Sequence, residues 1–282
     1  AGWWYAFKLL KNSWLPSSKE NPMNTLSHEC NWEIKNENGP IGLDDKVALA
    51  AGALKMMGMN KFSPTVLLVG HGSKSRNNLH AAGLDCGACG GQSGEVNVRV
   101  LAQLLNDEDV RKALKTMGHK IAGNTRFIPA LHNTTTDDVE CFDTSVPEKV
   151  KNWLLKAKHQ AQKERAKHYS TNLQFESDKK RDQRFQQRAK DWSQVQPEWG
   201  LAGNASFIIG PRQRTRGVDL EGKSFLHDYT WQTDLDSSVL ETLMTAPMIV
   251  THWINAQYNA SVTDNEKLGS GNKVLHNAVG NN

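Results

Sequence analysis

The stretch Thr65-Val-Leu-Leu-Val69 constrains the fold of this chain more than any other feature. It is a short continuous apolar run rich in β-branched residues, and it reads as a buried strand. The loop that follows, from Gly70 to Gly94, is crowded with Gly, His, Asn and Cys. Residues 97–105 and 108–117 then show helical periodicity, and residues 125–131 read as a second strand. Short apolar strands alternating with helices predict an α/β fold. Ligands in open α/β sheets bind beyond the carboxyl ends of the strands, so the loop after Val69 is where chemistry is expected.

The rest of the chain is organised around this centre. Residues 1–22 are aromatic and close with Pro16 and Pro22. Residues 23–42 are polar, with the turn signal Asn38-Gly39-Pro40. Asp44 and Asp45 cap an apolar-periodic stretch, residues 47–57, which reads as a helix. From Glu148 to about Lys190 the pattern is helical and basic, and Glu164, Glu176, Asp178 and Asp182 are its acids after Lys149. Residues 205–210 form another buried-strand candidate, followed by the basic loop 211–216. Residues 240–244 and 247–258 look helical, and Met244, Met248 and Trp253 are spaced as core residues. The expected division is a helical and loop lead-in over 1–60, the loop-bearing half of an α/β domain over 61–147, a basic helical arm over 148–190, and a C-terminal α/β portion over 191–282.

Composition excludes several classes. The chain has 282 residues, 38% of them hydrophobic, which is enough to bury a core and rules out disordered, collagen-like and disulfide-scaffold chains. A net charge of +4 is too mild to argue for nucleic acid, and the aromatics of the basic arm are too sparse for base stacking. Mean hydropathy is −0.59, and no apolar run nears the roughly 18 residues of a membrane span, so a membrane role is expected to be peripheral. Cys30, Cys86, Cys89 and Cys141 are too few for a disulfide framework and point to a reducing compartment. The first residues, Ala-Gly-Trp-Trp-Tyr-Ala-Phe-Lys, lack the features of a signal peptide, and the sequence is expected to be a fragment of a longer protein.

The chemistry-bearing loop holds Gly70-His-Gly-Ser73 and, fifteen residues after the histidine, Cys86 in Leu84-Asp-Cys-Gly-Ala-Cys-Gly-Gly91. Imidazole plus thiolate is a zinc-type donor set. Spacing alone leaves three readings open. His71 and one cysteine hold a metal; His71 is a hydrogen-bonded loop residue; or Cys86 and Cys89 form a thiol redox pair.

Longer motifs narrow these readings. Gly70-His-Gly-Ser-Lys-Ser-Arg-Asn-Asn78, Ala82-Gly-Leu-Asp-Cys-Gly-Ala-Cys-Gly-Gly91 and Ala130-Leu-His-Asn-Thr-Thr-Thr-Asp137 together resemble the DabA family of probable inorganic carbon transporter subunits. Pro197-Glu-Trp-Gly-Leu-Ala-Gly-Asn204, Phe207-Ile-Ile-Gly-Pro-Arg212, Thr245-Ala-Pro-Met248 and Trp253-Ile-Asn255 add to the resemblance, which runs from about residue 65 to the end. It implies a β-carbonic-anhydrase-like sheet with flanking helices and a helical basic insertion. It implies a zinc ion, and hydration of CO2 to bicarbonate through zinc-bound hydroxide. It also implies a peripheral position on the cytoplasmic side of the bacterial inner membrane, beside a DabB-like proton-translocating membrane subunit.

By the same resemblance, His71 and Cys86, rather than Cys89, are zinc ligands. The family's other two ligands lie in a C-x-D segment upstream of the Gly-His-Gly-Ser loop, and none precedes His71 here. Cys30 is followed by Asn31-Trp32, and Cys141-Phe-Asp143 has the spacing but lies downstream, in a stretch that does not ligate in the family. Two of four ligands should bind zinc weakly, and the chain alone should be inactive. Asp85, Ser73 and Ser75 are either partners of the ligands or loop hydrogen-bonders. His132 is either a proton shuttle or part of a polar turn packed against the zinc loop. The arm 149–190 is either a solvated face or a contact with a membrane partner or anionic lipid. The competing functions are a non-catalytic interaction module and a thiol redox protein using Cys86 and Cys89.

Overall fold

The computed structural model describes residues 2–14, 31–74, 93–167, 169, 172–190, 205–252 and 256. In chain order its elements are helix α1 (Gly2–Trp14), strands β1 (Lys35–Asn36) and β2 (Gly39–Pro40), helix α2 (Leu43–Met56), strand β3 (Thr65–Gly72), helices α3 (Glu95–Asn106) and α4 (Glu108–Thr116), strands β4 (Arg126–Asn133) and β5 (Val139–Cys141), helices α5 (Glu148–Ala166) and α6 (Asp178–Lys190), strands β6 (Ser206–Ile209) and β7 (Ser224–His227), and helix α7 (Ser238–Thr245). The chain is mixed α/β, as expected. Its described strands form three small sheets: β1-β2, β3-β4-β5 and β6-β7.

The three-stranded sheet positions the candidate site. Arg126 N donates to Pro64 O at 2.8 Å, and Thr134 N donates to Gly72 O at 2.8 Å. The offset is the same at both ends, so β3 and β4 run parallel in constant register. β5 returns antiparallel against β4, pairing Ala130 with Cys141 and His132 with Val139. The strand expected over 65–69 therefore continues through the Gly-His-Gly motif. Its backbone finds partners on β4 that the apolar run alone does not announce.

The chain separates into two compact units, residues 1–31, 67–99 and 128–198 in one, and 32–66, 100–127 and 199–282 in the other. In the first, the basic arm folds as two helices, α5 and α6, with a 3-10 turn at Leu173–Phe175 between them. Ala166, Leu173 and Phe185 form their shared core, and the Tyr169 ring meets Phe185 edge-on at 5.2 Å. Burying each of the larger apolar side chains is worth about 1.5–3 kcal/mol. Arg181 is buried in the same region, donating from Nη1 to Glu176 O at 2.9 Å and pairing with Asp178.

In the second unit, Leu54, Leu105, Val110, Leu114, Phe127 and Leu243 are fully buried. Asp107 caps α4, accepting from Asp109 N at 2.9 Å and Val110 N at 3.0 Å, which satisfies two of the helix's otherwise open donors. The Asn106 amide pairs with the backbone of Phe127, donating to its carbonyl at 2.7 Å and accepting from its N–H at 3.1 Å. α2 starts at Leu43 with Gly42 as its cap, so Asp44 and Asp45 lie inside the first turn rather than before it. There they still oppose the positive end of the helix dipole. Met244, expected in the core, is 45% exposed, because Val239 and Leu243 supply the buried face of α7.

Candidate functional site

His71 is the penultimate residue of β3, at the carboxyl end of a parallel strand. Its neighbours leave little freedom to its backbone. Gly94 N donates to His71 O at 2.7 Å, and Gly94 O accepts from Val98 N at 3.2 Å as α3 begins. Gly70 and Gly94 touch so closely that a Cβ on Gly70 would meet Gly94 O at 2.7 Å. Glycine at both positions is what lets the strand end and the helix entry approach. Just beyond, Glu95 and Arg99 form a buried pair at 2.7 Å. The His71 side chain is half-buried, and among the described residues its imidazole nitrogens carry no hydrogen bond.

A clasp from the β4–β5 turn holds the other side of the loop. Thr134 gives Gly72 O two donors, its N–H at 2.8 Å and its hydroxyl at 3.1 Å. The Thr135 hydroxyl donates to Lys74 O at 2.7 Å and accepts from Lys74 N at 3.1 Å. Within the turn, Asn133 Oδ1 accepts from the N–H groups of Thr135 at 3.1 Å and Thr136 at 3.2 Å. Asp137 adopts φ 60°, a left-handed conformation that Asp tolerates better than most residues. The polar motif at 131–137 is thus a fastener for the backbone that follows His71. Of the two readings of His132, the turn packed against this loop is the one the contacts describe. The constant β3–β4 register also sets His132 beside His71 on neighbouring strands.

Behind the clasp lies an ion-pair network that the sequence did not reveal. His132 Nε2 is 3.3 Å from Asp137 Oδ1, and Arg165 Nη1 holds Asp137 Oδ2 at 2.5 Å. Lys158 lies between Asp138 at 2.6 Å and Asp182 at 2.8 Å. Gln162 Nε2 donates to Thr136 O at 2.8 Å and to Asp182 Oδ1 at 2.9 Å. Burial works to raise the Asp138 carboxyl, but hydrogen bonds from Lys158, Thr136 and Gln186 outweigh it and hold the group below its ordinary value. Burial likewise works to lower Lys158, and its bonds to Asp138 and Asp182 reverse the sign and raise it. The inward cations of the basic arm, Lys158 and Arg165, therefore tie α5 and α6 to the turn beside His71. Opposite charges at such separations in sequence leave no periodic signal, which is why the network was not legible.

The remaining candidates divide plainly. Cys86, Cys89, Asp85 and Ser75 lie outside the described residues, and Ser73 is half-buried beside His71. Cys141 is in β5, where burial raises its thiol, a setting that opposes the thiolate a metal needs. Asp143 is occupied as a turn acceptor for Ser145 N at 2.8 Å. Among the described residues no group of three or more His, Cys, Asp or Glu could hold a metal ion. An imidazole with open nitrogens at a fixed strand end suits one position in a zinc site, with further ligands needed from elsewhere.

Comparison with known proteins gives a consistent picture. A family described as "Probable inorganic carbon transporter subunit DabA" matches residues 1–282, so the match reaches the first residues as well as the motifs after residue 65. A protein of that name from Marinomonas sp. (strain MWYL1) is 57% identical over the whole of this chain, which covers 35% of the relative's length. One from Hydrogenovibrio crunogenus (strain DSM 25203 / XCL-2) is 56% identical over 99% of this chain and 34% of its own length. One from Methylovorus glucosotrophus (strain SIP3-4) is 54% identical over 86% of this chain and 29% of its own. The chain thus spans about a third of the length of the curated relatives it matches. No solved structure matches it.

Proposed function

Because the chain belongs to the DabA family of probable inorganic carbon transporter subunits, we propose that it carries one half of a zinc site in a carbonic-anhydrase-like subunit. That subunit converts CO2 to bicarbonate as part of an energy-coupled uptake complex. The observation that carries this reading is His71 itself. It stands at the carboxyl end of a parallel strand, with its imidazole unengaged among the described residues and its backbone fixed from two sides.

His71 and Cys86 hold the metal in this account, with two further ligands from parts of the protein beyond this chain. Zinc bound there supplies the Lewis acidity that makes water a nucleophile at neutral pH. Thr134 and Thr135 hold the loop backbone so that the imidazole is presented in one direction. The Asp137–Arg165 and Lys158 pairs keep the turn carrying those threonines in place. The sheet belongs, in this account, to a β-carbonic-anhydrase-like fold completed by the rest of the protein. The subunit sits peripherally on the cytoplasmic face of the inner membrane, beside a DabB-like proton-translocating partner. No helix among the described residues is long and apolar enough to cross a membrane.

The test is rescue of growth in air. The complete subunit and its membrane partner are expressed in a bacterium stripped of its own carbonic anhydrases. His71→Ala and Cys86→Ser should each abolish rescue, and Cys89→Ser should retain it. Rescue by the His71→Ala protein would contradict the assignment. Loss only in Cys89→Ser would move the function to the thiol pair.

A further inference from the structure

Two helices of the second compact unit end on nearly the same sequence, Ala53-Leu-Lys-Met-Met-Gly-Met59 at the end of α2 and Ala113-Leu-Lys-Thr-Met-Gly-His119 at the end of α4. They also stop in the same way. Gly58 N donates to Lys55 O at 3.0 Å, and Met59 N donates to Leu54 O at 2.9 Å. Gly118 N donates to Lys115 O at 3.1 Å, and His119 N donates to Leu114 O at 3.0 Å. Both glycines take the positive φ that this ending requires, 63° at Gly58 and 95° at Gly118. Leu54 and Leu114 are fully buried, and α2 packs against α4. The repeat therefore gives Met59 and His119 equivalent places, each just past its glycine. Both line one cavity of about 420 Å³, and Met56 and Met117 line it with them. Met56, Met59 and His119 are half-buried, and Met117 is exposed.

We propose that this cavity is a Cu(I) site, with the thioethers of Met56, Met59 and Met117 and the imidazole of His119 as its donors. Thioether sulfur is soft and polarisable, so it selects Cu(I) over harder divalent ions, and imidazole serves copper as well. Each helix end supplies two of the four donors. All four are neutral when the imidazole is neutral, so the bound ion keeps its single positive charge. The cavity favours such a charge. The carboxyl ends of α2 and α4 meet there, each carrying partial negative charge. Asp228 and Asp234 stand on the same wall. The cation on the wall, Lys55, is engaged elsewhere, donating to Ser238 Oγ at 2.7 Å. These residues all belong to the second unit, and the proposal does not depend on the zinc assignment.

The experiment is an anaerobic competition for Cu(I) between the complete subunit, its accessible cysteines alkylated, and the chelator bicinchoninate. The parent should withdraw about one Cu(I) per subunit. Met56→Leu/Met59→Leu/Met117→Leu should lose that uptake, because leucine keeps the volume and removes the sulfur. His119→Gln should weaken it by about tenfold or more, the least that loss of even a ligand's supporting partner costs a metal site. Ag(I) should displace the copper, and excess Zn2+ should not. Zinc content of the unalkylated proteins should be the same in parent and variants, which separates this site from His71. Equal Cu(I) uptake by the parent and the triple-leucine variant would overturn the proposal. If the triple variant melts below the parent, His119→Gln decides, and undiminished uptake there would overturn it. Displacement by Zn2+ would also overturn it and mark a harder site. So would uptake by the isolated chain but not by the complete subunit, which would show that another part of the protein fills the cavity.

Discussion

The Thr135 hydroxyl donates to the Lys74 carbonyl at 2.7 Å and accepts from the Lys74 N–H at 3.1 Å. Thr135→Val keeps the shape and removes both bonds together with the hydroxyl's 2.8 Å contact with Asn133 Oδ1, leaving the Lys74 peptide without this partner while Asn133 keeps its two backbone donors. Unpaired, partly buried groups of this kind cost about 1–3 kcal/mol. The variant should lose about that much in a urea titration while keeping the secondary structure of the parent. Asp138 and Lys158 make a second prediction, through pH. Asp138 is held below the ordinary carboxylate value of 3.8, so its contribution is present above that value and is lost as the pH falls through the lower folded value. Lys158 is raised above 10.5, so its contribution is present below that value and is lost as the pH rises through the higher folded value. Melting temperature should therefore stay flat across the neutral range as far as this pair is concerned. Asp138→Asn should flatten the acid limb, and an unchanged acid limb would count against the network. Among single residues, His71 was legible because a histidine beside glycines after an apolar run is a local pattern. The partners of Arg165 and Lys158 were not, because ion pairs between residues far apart in sequence follow no period.

β3 ends against the entry to α3 only because Gly70 and Gly94 both lack a side chain. A Cβ at Gly70 would meet Gly94 O at 2.7 Å and Gly94 C at 2.9 Å, both backbone atoms that cannot swing aside. Gly70→Ala should cost about 1–3 kcal/mol, as overpacking does, and should disturb the His71 loop more than any distant part of the fold. A two-dimensional NMR comparison would show whether the shifts cluster there. Helices and strands with strong periodicity were legible: residues 97–105, 108–117 and 125–131 correspond to α3, α4 and β4 with small changes at their ends. β5 and β7 were not, because Val139–Cys141 and Ser224–His227 are too short to show alternation and owe their strand form to β4 and β6. The sequence of the basic arm has the pattern of one helical stretch. It breaks into α5 and α6 where Leu173 and Phe185 turn inward to share a core with Ala166.

The chain spans about a third of the relatives it matches, and one third of a protein can fix a ligand's position without completing the site. The family was legible from long ordered motifs, and the match over residues 1–282 extends it to the aromatic first segment that those motifs do not include. The α/β class followed from the alternation of strand and helix, while the number and pairing of the sheets depended on contacts no local pattern reports. The central claim is that His71 and Cys86 are half of a zinc site whose other half lies outside this chain. Zinc content by mass spectrometry of the purified complete protein and of this chain alone, under the same metal-buffered conditions, tests it most directly. The account predicts about one zinc per complete protein, loss of most of it in His71→Ala and in Cys86→Ser, and little retained by the isolated chain. Full zinc occupancy in both variants would contradict it.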